Sequence, residues 1–228
     1  MLCTEEIVRA NIRNREGKRV YFLGEKDTLT PGARDFLTRE RIEIRPASQA
    51  AIGEFVTVSG AILREKPEHM THLRGNVLVP KTHPRIGFRG AMDTLEAELL
   101  LCQMEVPAPY SGQIGEILEL ARNLIRWEVM DEPVQNLQLC GLTGQELRAR
   151  SHRPQDFFKQ PHFMPQVSDG AVVLRLNRCR CAVRAAELAA AHAFTGSEGI
   201  CARPDILQAL NRMSSMVYIL MIQAKGGL

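Results

Sequence analysis

The spacing of apolar positions divides the chain in two. Near the N-terminus the apolar runs are short. "KRVYFLG" (18–24) and "IEIRP" (42–46) have the length and side-chain types of strands, and "LTPGARDFLTRER" (29–41) between them has helix signals. Thr30 is placed to cap it, Pro31 occupies the first helical position, and arginines stand near its end. This predicts a small strand–helix–strand unit. "GEFVTVSGAI" (53–62) adds a further strand, and "LREKPEHMTHLRGNVLVPKTHP" (63–84) is so rich in turn residues that it reads as a surface connection.

From about residue 85 the period changes to that of a helix. "IGFRGAMDTLEAELLLCQMEV" is closed by Pro107 and Pro109, and "GQIGEILELARNLIRWEVMD" by Pro133. "LTGQELRARSH" opens with Thr143 and carries Glu146 three residues later, the signature of a capping box. "DGAVVLRLNRCRCAVRAAELAAAHAF" is long, alanine-rich and amphipathic, ending before Gly196. A last helix runs from Arg203-Pro204 to about Gln223, with Ile206, Leu207, Leu210, Met213, Val217, Leu220 and Met221 as one apolar stripe. The expected fold is mainly α: a four- to five-helix bundle over 66–228 with a small α/β appendage over 1–65.

Composition narrows the function. A chain of 228 residues, 45% of them hydrophobic, supports a substantial core. Its net charge of +3 does not indicate a nucleic-acid surface without a concentrated basic face, so any basic site is expected to be local, and 5% aromatics argue against a base-stacking platform. The start carries Glu5 and Glu6 without a signal-peptide core, and no apolar run has the length of a membrane span, so the expectation is a cytoplasmic protein. Its six cysteines are scattered without a Cys-x-x-Cys and read as free thiols.

Three clusters could carry chemistry. Arg180, Arg184 and Glu187 fall at i, i+4 and i+7, which aligns two guanidiniums and a carboxylate on one helix face. Such a face suits an anion with its metal counterion, or else is a solvated face with its own ion pair. Lys81, Arg85 and Arg89 crowd the start of the first bundle helix, ahead of Asp93 and Glu96, where unpaired N–H groups favour a polyphosphate, or else they form an exposed basic loop. Asn211 and Arg212 interrupt the apolar last helix beside Ser214 and Ser215, and need either a ligand or a neighbouring helix to satisfy them. There is no phosphate-binding Gly-x-x-x-x-Gly-Lys loop, no His-Glu-x-x-His, and no third ligand for His69 and His72.

These residues also carry a resemblance. "PKTHPRIGFRGAMDTLE" is similar to the Lys-x-x-Pro-Arg…Gly-x-x-Asp segment of ATP:cob(I)alamin adenosyltransferases of the propanediol-utilization type. "RCAVRAAE" resembles their Arg-x-x-x-Arg-x-x-Glu helix, and "ALNRMSS" their Leu-Asn-Arg-x-Ser helix. Over nearly the whole chain the match is closer to the ethanolamine-utilization branch, through "LTPGARDFL", "KPEHMTHL", "HPRIGFRG" and "RPDILQALNRMSSMVYILMI".

The resemblance implies a helical-bundle homotrimer that binds ATP between subunits and transfers its 5′-deoxyadenosyl group to cob(I)alamin, releasing triphosphate. It assigns Arg180, Arg184 and Glu187 to the triphosphate and its Mg²⁺, Asn211 and Arg212 to the nucleotide, and Asp93 to an ion pair with Arg180. Lys81 and Arg85 would reach the phosphates, with Thr71 and His72 as further candidates. Phe163, ahead of Phe157 and Phe158, would cover the lower face of the corrinoid; ordinary core packing is the alternative. A flavoprotein reductase partner and association with a bacterial microcompartment also follow from the resemblance. The glycine-rich phosphate loop of the propanediol-type enzymes is missing. "ASQAAIGEFVTVSG" lacks the His and Cys-Cys-x-x-Cys that some ethanolamine-type members carry, so no structural transition metal is expected. Two other readings compete: a non-catalytic ATP- or corrinoid-binding carrier or sensor of the same fold, and a microcompartment interaction module.

Overall fold

The computed structural model describes residues 1–49 and 54–227. They form two compact units: Met1–His83 with Val129–Asp131, and Pro84–Glu128 with the chain from Glu132 onward. The described residues include eight α-helices: α1 (Glu5–Ala10), α2 (Pro31–Arg39), α3 (Pro84–Glu105), α4 (Tyr110–Met130), α5 (Gly144–His152), α6 (Pro154–Phe158), α7 (Gly170–Phe194) and α8 (Pro204–Gly226).

In the first unit the expected strand–helix–strand element is present. Lys18–Leu23 pairs in parallel with Glu43–Pro46, Val20 standing opposite Glu43, and α2 connects them. Thr30 caps α2, its Oγ1 accepting the Ala33 N–H at 3.3 Å. Phe36, Leu37 and Ala33 from α2 are buried with Cys3, Val8, Tyr21 and Ile42 in a small core.

The segment 63–84 is not the loose surface connection its turn residues suggested. Met70–Arg74 and Val77–Pro80 form an antiparallel hairpin, and Val77–Pro80 pairs in parallel with Phe55–Thr57. Burial explains it: Met70, Leu78 and Val79 lie inside, and the turn signal belongs to the hairpin tip. Gly75 takes φ +54 there, and a Cβ on it would collide with the Ile12 carbonyl. Asn76 beside it is 2% exposed, accepting the Asn14 N–H at 2.7 Å and donating to the Asn14 carbonyl at 3.0 Å. The strand expected over 53–62 appears as Phe55–Thr57 and Ile62–Leu63, while Gly53 lies outside the described residues.

The second unit is helical. α3, α4, α7 and α8 are its four long members, and α5 is the fifth with more than one turn. Leu95 and Leu99 of α3, Ile117 and Leu124 of α4, Leu176 and Val183 of α7, and Leu210 and Met213 of α8 are fully buried in one core. Each such side chain contributes about 1.5–3 kcal/mol by leaving water. The apolar stripe of α8 is inside as its period requires, with Leu207 half-buried at its edge. The capping box at α5 is complete: Thr143 Oγ1 accepts the Glu146 N–H at 3.3 Å, and Glu146 Oε2 accepts the Thr143 N–H at 2.8 Å. The short helix α6 has no counterpart in the periodicity, because its single turn is set by Pro154 at its first position.

One ionic cluster lies in this core. Glu128, near the end of α4, is fully buried, and Arg85 and Arg89 of α3 both bind its carboxylate, Arg89 through Nε at 2.8 Å. Arg85 also donates to the Glu128 carbonyl at 3.1 Å.

Candidate functional site

The helical period builds a polar wall on α7. Asn177, Arg180, Arg184 and Glu187 are separated by three, four and three residues and share one face. Asn211, Ser214, Ser215 and Tyr218 do the same on α8. Together with Ser151 and His152 at the end of α5 and His162–Pro165 ahead of α7, they line a cleft of about 830 Å³. That is the size of a site for a nucleotide or similar ligand.

Within the cleft, Glu187 Oε1 accepts a hydrogen bond from Asn211 Nδ2 at 3.1 Å, and Asn211 Oδ1 accepts one from Arg212 Nη1 at 2.5 Å. Glu187 is therefore held from α8; no ion pair to Arg184 appears among the described residues. Arg180 lays its guanidinium 4.9 Å from the centre of the Tyr218 ring. The Nε atoms of Arg180 and Arg212 are buried without a hydrogen-bond partner among the described residues. Each such group costs about 1–3 kcal/mol until something accepts from it. Arg212 is 7% exposed. Burial, reinforced by the nearby Arg148 charge, pulls its guanidinium below the usual arginine range, and Glu187 opposes this. A cation held this way is complementary to an anion.

The other edge of the cleft is aromatic. Phe163 packs against the helical core, its ring 6.1 Å from that of Tyr218, and Lys225 Nζ lies 4.6 Å above it. Lys225 forms an ion pair with Asp169, which also accepts the Gln166 N–H at 2.8 Å.

The structure thus gathers Phe163, Arg180, Arg184, Glu187 and Asn211 in one cleft, with Arg212 bonded to Asn211 behind it. Asn211 is exposed to the cleft and only Arg212 is buried, so the polar pair on α8 is half inside and half outside rather than buried together. The other candidates stand elsewhere. Asp93 is exposed on α3, with no ion pair to Arg180 among the described residues. Arg85 is engaged with Glu128, a partner 43 positions away that sequence spacing does not reveal. Lys81 is exposed and lies 3.7 Å from Glu68, while Thr71 and His72 sit in the Met70–Arg74 strand, His72 edge-on to Phe55 with ring centres 5.6 Å apart. All three belong to the first unit. Phe158 packs on the core, and Phe157 is 46% exposed with Arg150 5.7 Å from its ring.

Sequence reasoning missed Tyr218, His162 and Asn177. Their signal was available: Asn177 is one turn before Arg180, and Tyr218 is seven residues after Asn211, on the face that Asn211 and Ser214 mark. Among the described residues no group of three or more metal-ligating side chains comes together, and no helix is long and apolar enough to cross a membrane.

The sequence model of the cobalamin adenosyltransferase family matches residues 61–224. The chain is 33% identical to corrinoid adenosyltransferase EutT of Salmonella typhimurium (strain LT2), over 96% of this chain and 90% of that protein. It is 31% identical to corrinoid adenosyltransferase EutT of Escherichia coli (strain K12), with the same coverage. Among solved structures, a variant PduO-type ATP:corrinoid adenosyltransferase from Lactobacillus reuteri complexed with cobalamin and ATP aligns over 76% of this chain and 88% of that chain. Its identity is 16% and the TM-score 0.47. With its helical unit almost wholly inside the matched span and curated relatives aligned along nearly its whole length, the chain belongs to the cobalamin adenosyltransferase family.

Proposed function

We propose that this protein transfers the 5′-deoxyadenosyl group of ATP to the cobalt of a reduced corrinoid, forming adenosylcobalamin and triphosphate. The observation that carries the reading is the cleft itself: two arginines and a carboxylate from α7 and an asparagine from α8 line it together with a phenylalanine. The cobalt lone pair attacks C5′ of ATP, the C5′–O bond breaks, and triphosphate leaves with the bonding electrons. No side-chain nucleophile or base is needed for that step.

The protein's work is alignment and charge neutralisation. Arg180 and Arg184 take up charge on the leaving triphosphate. Asn211 orients the nucleotide and holds Glu187, whose other carboxylate oxygen, with phosphate oxygens, would ligate Mg²⁺. One carboxylate plus phosphates is a donor set that suits this ion, which would neutralise the triphosphate when bound. Phe163 covers the lower face of the corrinoid and keeps water and ligands from the cobalt. We place the chemistry in the helical unit and an accessory role in the first unit, to which Thr71, His72 and Lys81 belong. Asp93 pairs with Arg180 when the nucleotide is bound, and Arg85, held by its bond to Glu128, adds positive charge toward the phosphates. The assembly we propose is a cytoplasmic homotrimer, served by a flavoprotein reductase and acting in ethanolamine utilization beside a microcompartment.

Anaerobic incubation of the purified protein with MgATP and chemically reduced cob(I)alamin tests the activity. Photolabile adenosylcobalamin formed only with protein is the expected result. Its absence, with ATP binding measured separately, overturns the reading in favour of a carrier or sensor. Sedimentation at several concentrations tests the trimer.

A further inference from the structure

We propose that Tyr218 is a positioning residue that ties the arginine wall of the cleft to the segment carrying Phe163, so that both are set by one side chain. The inference deepens the function proposed above and rests on it.

Three observations meet on this residue. Tyr218 is 9% exposed, and its ring carries the Arg180 guanidinium at 4.9 Å. Arg180 Nε has no hydrogen-bond partner, so among the described contacts the ring is what locates this cation. The hydroxyl, meanwhile, faces the other way along the cleft: it lies 3.1 Å from His162 Nδ1 and accepts the Phe163 N–H at 3.5 Å.

The proton positions follow from the partners. His162 Nε2 lies 3.2 Å from the His152 carbonyl, which only accepts, so Nε2 carries a proton, and with the imidazole assigned as neutral Nδ1 is an acceptor. The Tyr218 hydroxyl therefore donates to His162 Nδ1 and accepts from Phe163. The chain of bonds runs in one direction from the Phe163 amide to the end of α5, with every member used once. The His162 ring lies 8° from parallel with the Tyr218 ring, 5.9 Å between centres.

Apart from the packing of Phe163 on the core, few contacts order the segment concerned. Between α6 and α7, residues 159–169 contain two prolines and a single 3₁₀ turn, Val167–Asp169, and the ion pair from Lys225 to Asp169 secures the far end. Tyr218 secures the near end. A rigid aromatic side chain from the long helix α8 can fix the distance between an anion on Arg180 and the ring of Phe163, whereas a flexible side chain could not.

Two substitutions in the full chain separate the ring from the hydroxyl. Tyr218→Phe keeps the ring under Arg180 and removes both hydroxyl bonds; Tyr218→Leu removes the ring as well. The rate of adenosylcobalamin formation is measured from chemically reduced cob(I)alamin and, separately, from cob(II)alamin with a flavin reductant, which needs the lower face covered. Tyr218→Phe is expected to lower the cob(II)alamin rate at least tenfold more than the cob(I)alamin rate. Tyr218→Leu is expected to raise the KM for ATP at least fivefold above that of Tyr218→Phe. Equal effects of Tyr218→Phe on both corrinoid rates would overturn the proposal, since a core-filling aromatic affects them together. Hydrogen exchange decides it without turnover: faster exchange over 159–169 in Tyr218→Phe, with α7 and α8 unchanged, supports the tether, and unchanged exchange refutes it. A wild-type protein that forms no adenosylcobalamin fails the functional reading alone, and the exchange result still stands.

Discussion

Two of the arginine groups in the helical unit have surroundings that differ. At the start of α3, Arg85 and Arg89 converge on Glu128, whose carboxylate is 0% exposed, so the counter-charge comes from the chain itself. In the cleft, Arg180 and Arg212 each keep a buried Nε without a partner among the described residues, and the contacts they do make are to a neutral ring and a neutral amide. Both places bring more than one guanidinium together inside or at the edge of the helical core. Only the second is left open to a further anion, and that distinction separates a structural cross-link from a binding wall.

The largest effect is expected where a buried carboxylate is shared by two guanidiniums. Glu128→Gln leaves Arg85 and Arg89 without their carboxylate, and a loss of about 3–5 kcal/mol is expected in urea unfolding. If Arg184→Ala destabilises as much, the two groups do not differ as described. Arg184 is exposed, and its removal is expected instead to lower the rate of adenosylcobalamin formation about 10²–10³-fold, as loss of a transition-state charge contact does, with the melting temperature unmoved.

Arg212→Met sharpens the contrast further. It removes a buried cation that has no carboxylate bonded to it, so unfolding stability is expected to stay equal or rise by about 1 kcal/mol while ATP affinity falls, as calorimetry with and without ATP would record. The same change at Arg89 should destabilise. The smallest effect concerns the far end of the Phe163 segment. The Lys225 hydrogen bond, with the Gln166 N–H, holds the Asp169 carboxyl below the usual aspartate range. A depressed carboxylate stabilises above its unfolded value and loses that contribution as pH falls through the folded one. An NMR titration should find Asp169 low in the wild type and higher in Lys225→Ala; no difference would remove the ion pair from the account.

The bundle was legible in the sequence because long helices repeat their signal over many turns. The period in "DGAVVLRLNRCRCAVRAAELAAAHAF" corresponds to buried Val173, Leu176, Val183 and Ala186, and the Thr143–Glu146 box is local enough to read directly. The hairpin at 70–80 was misread because its strands have four and five residues, and Gly75 and Asn76 at its tip dominate the composition. In the site, Arg180, Arg184 and Glu187 were legible because they share one helix face. Arg85 was misjudged because its partner Glu128 arrives from another helix. Tyr218 escaped notice among the apolar residues of "MVYILMI", since its hydroxyl has meaning only beside His162 and Phe163.

The bond from Tyr218 to position 163 is made to the main chain, and this separates two things that usually vary together. An anchor on an amide N–H does not depend on which side chain the residue bears. The amide bond would survive a change to leucine, histidine or tryptophan, which lose only what the phenylalanine ring packs against, whereas proline, lacking the N–H, would lose the bond itself. Variation at that position tunes what the cleft presents to its substrate while the scaffold that presents it stays the same.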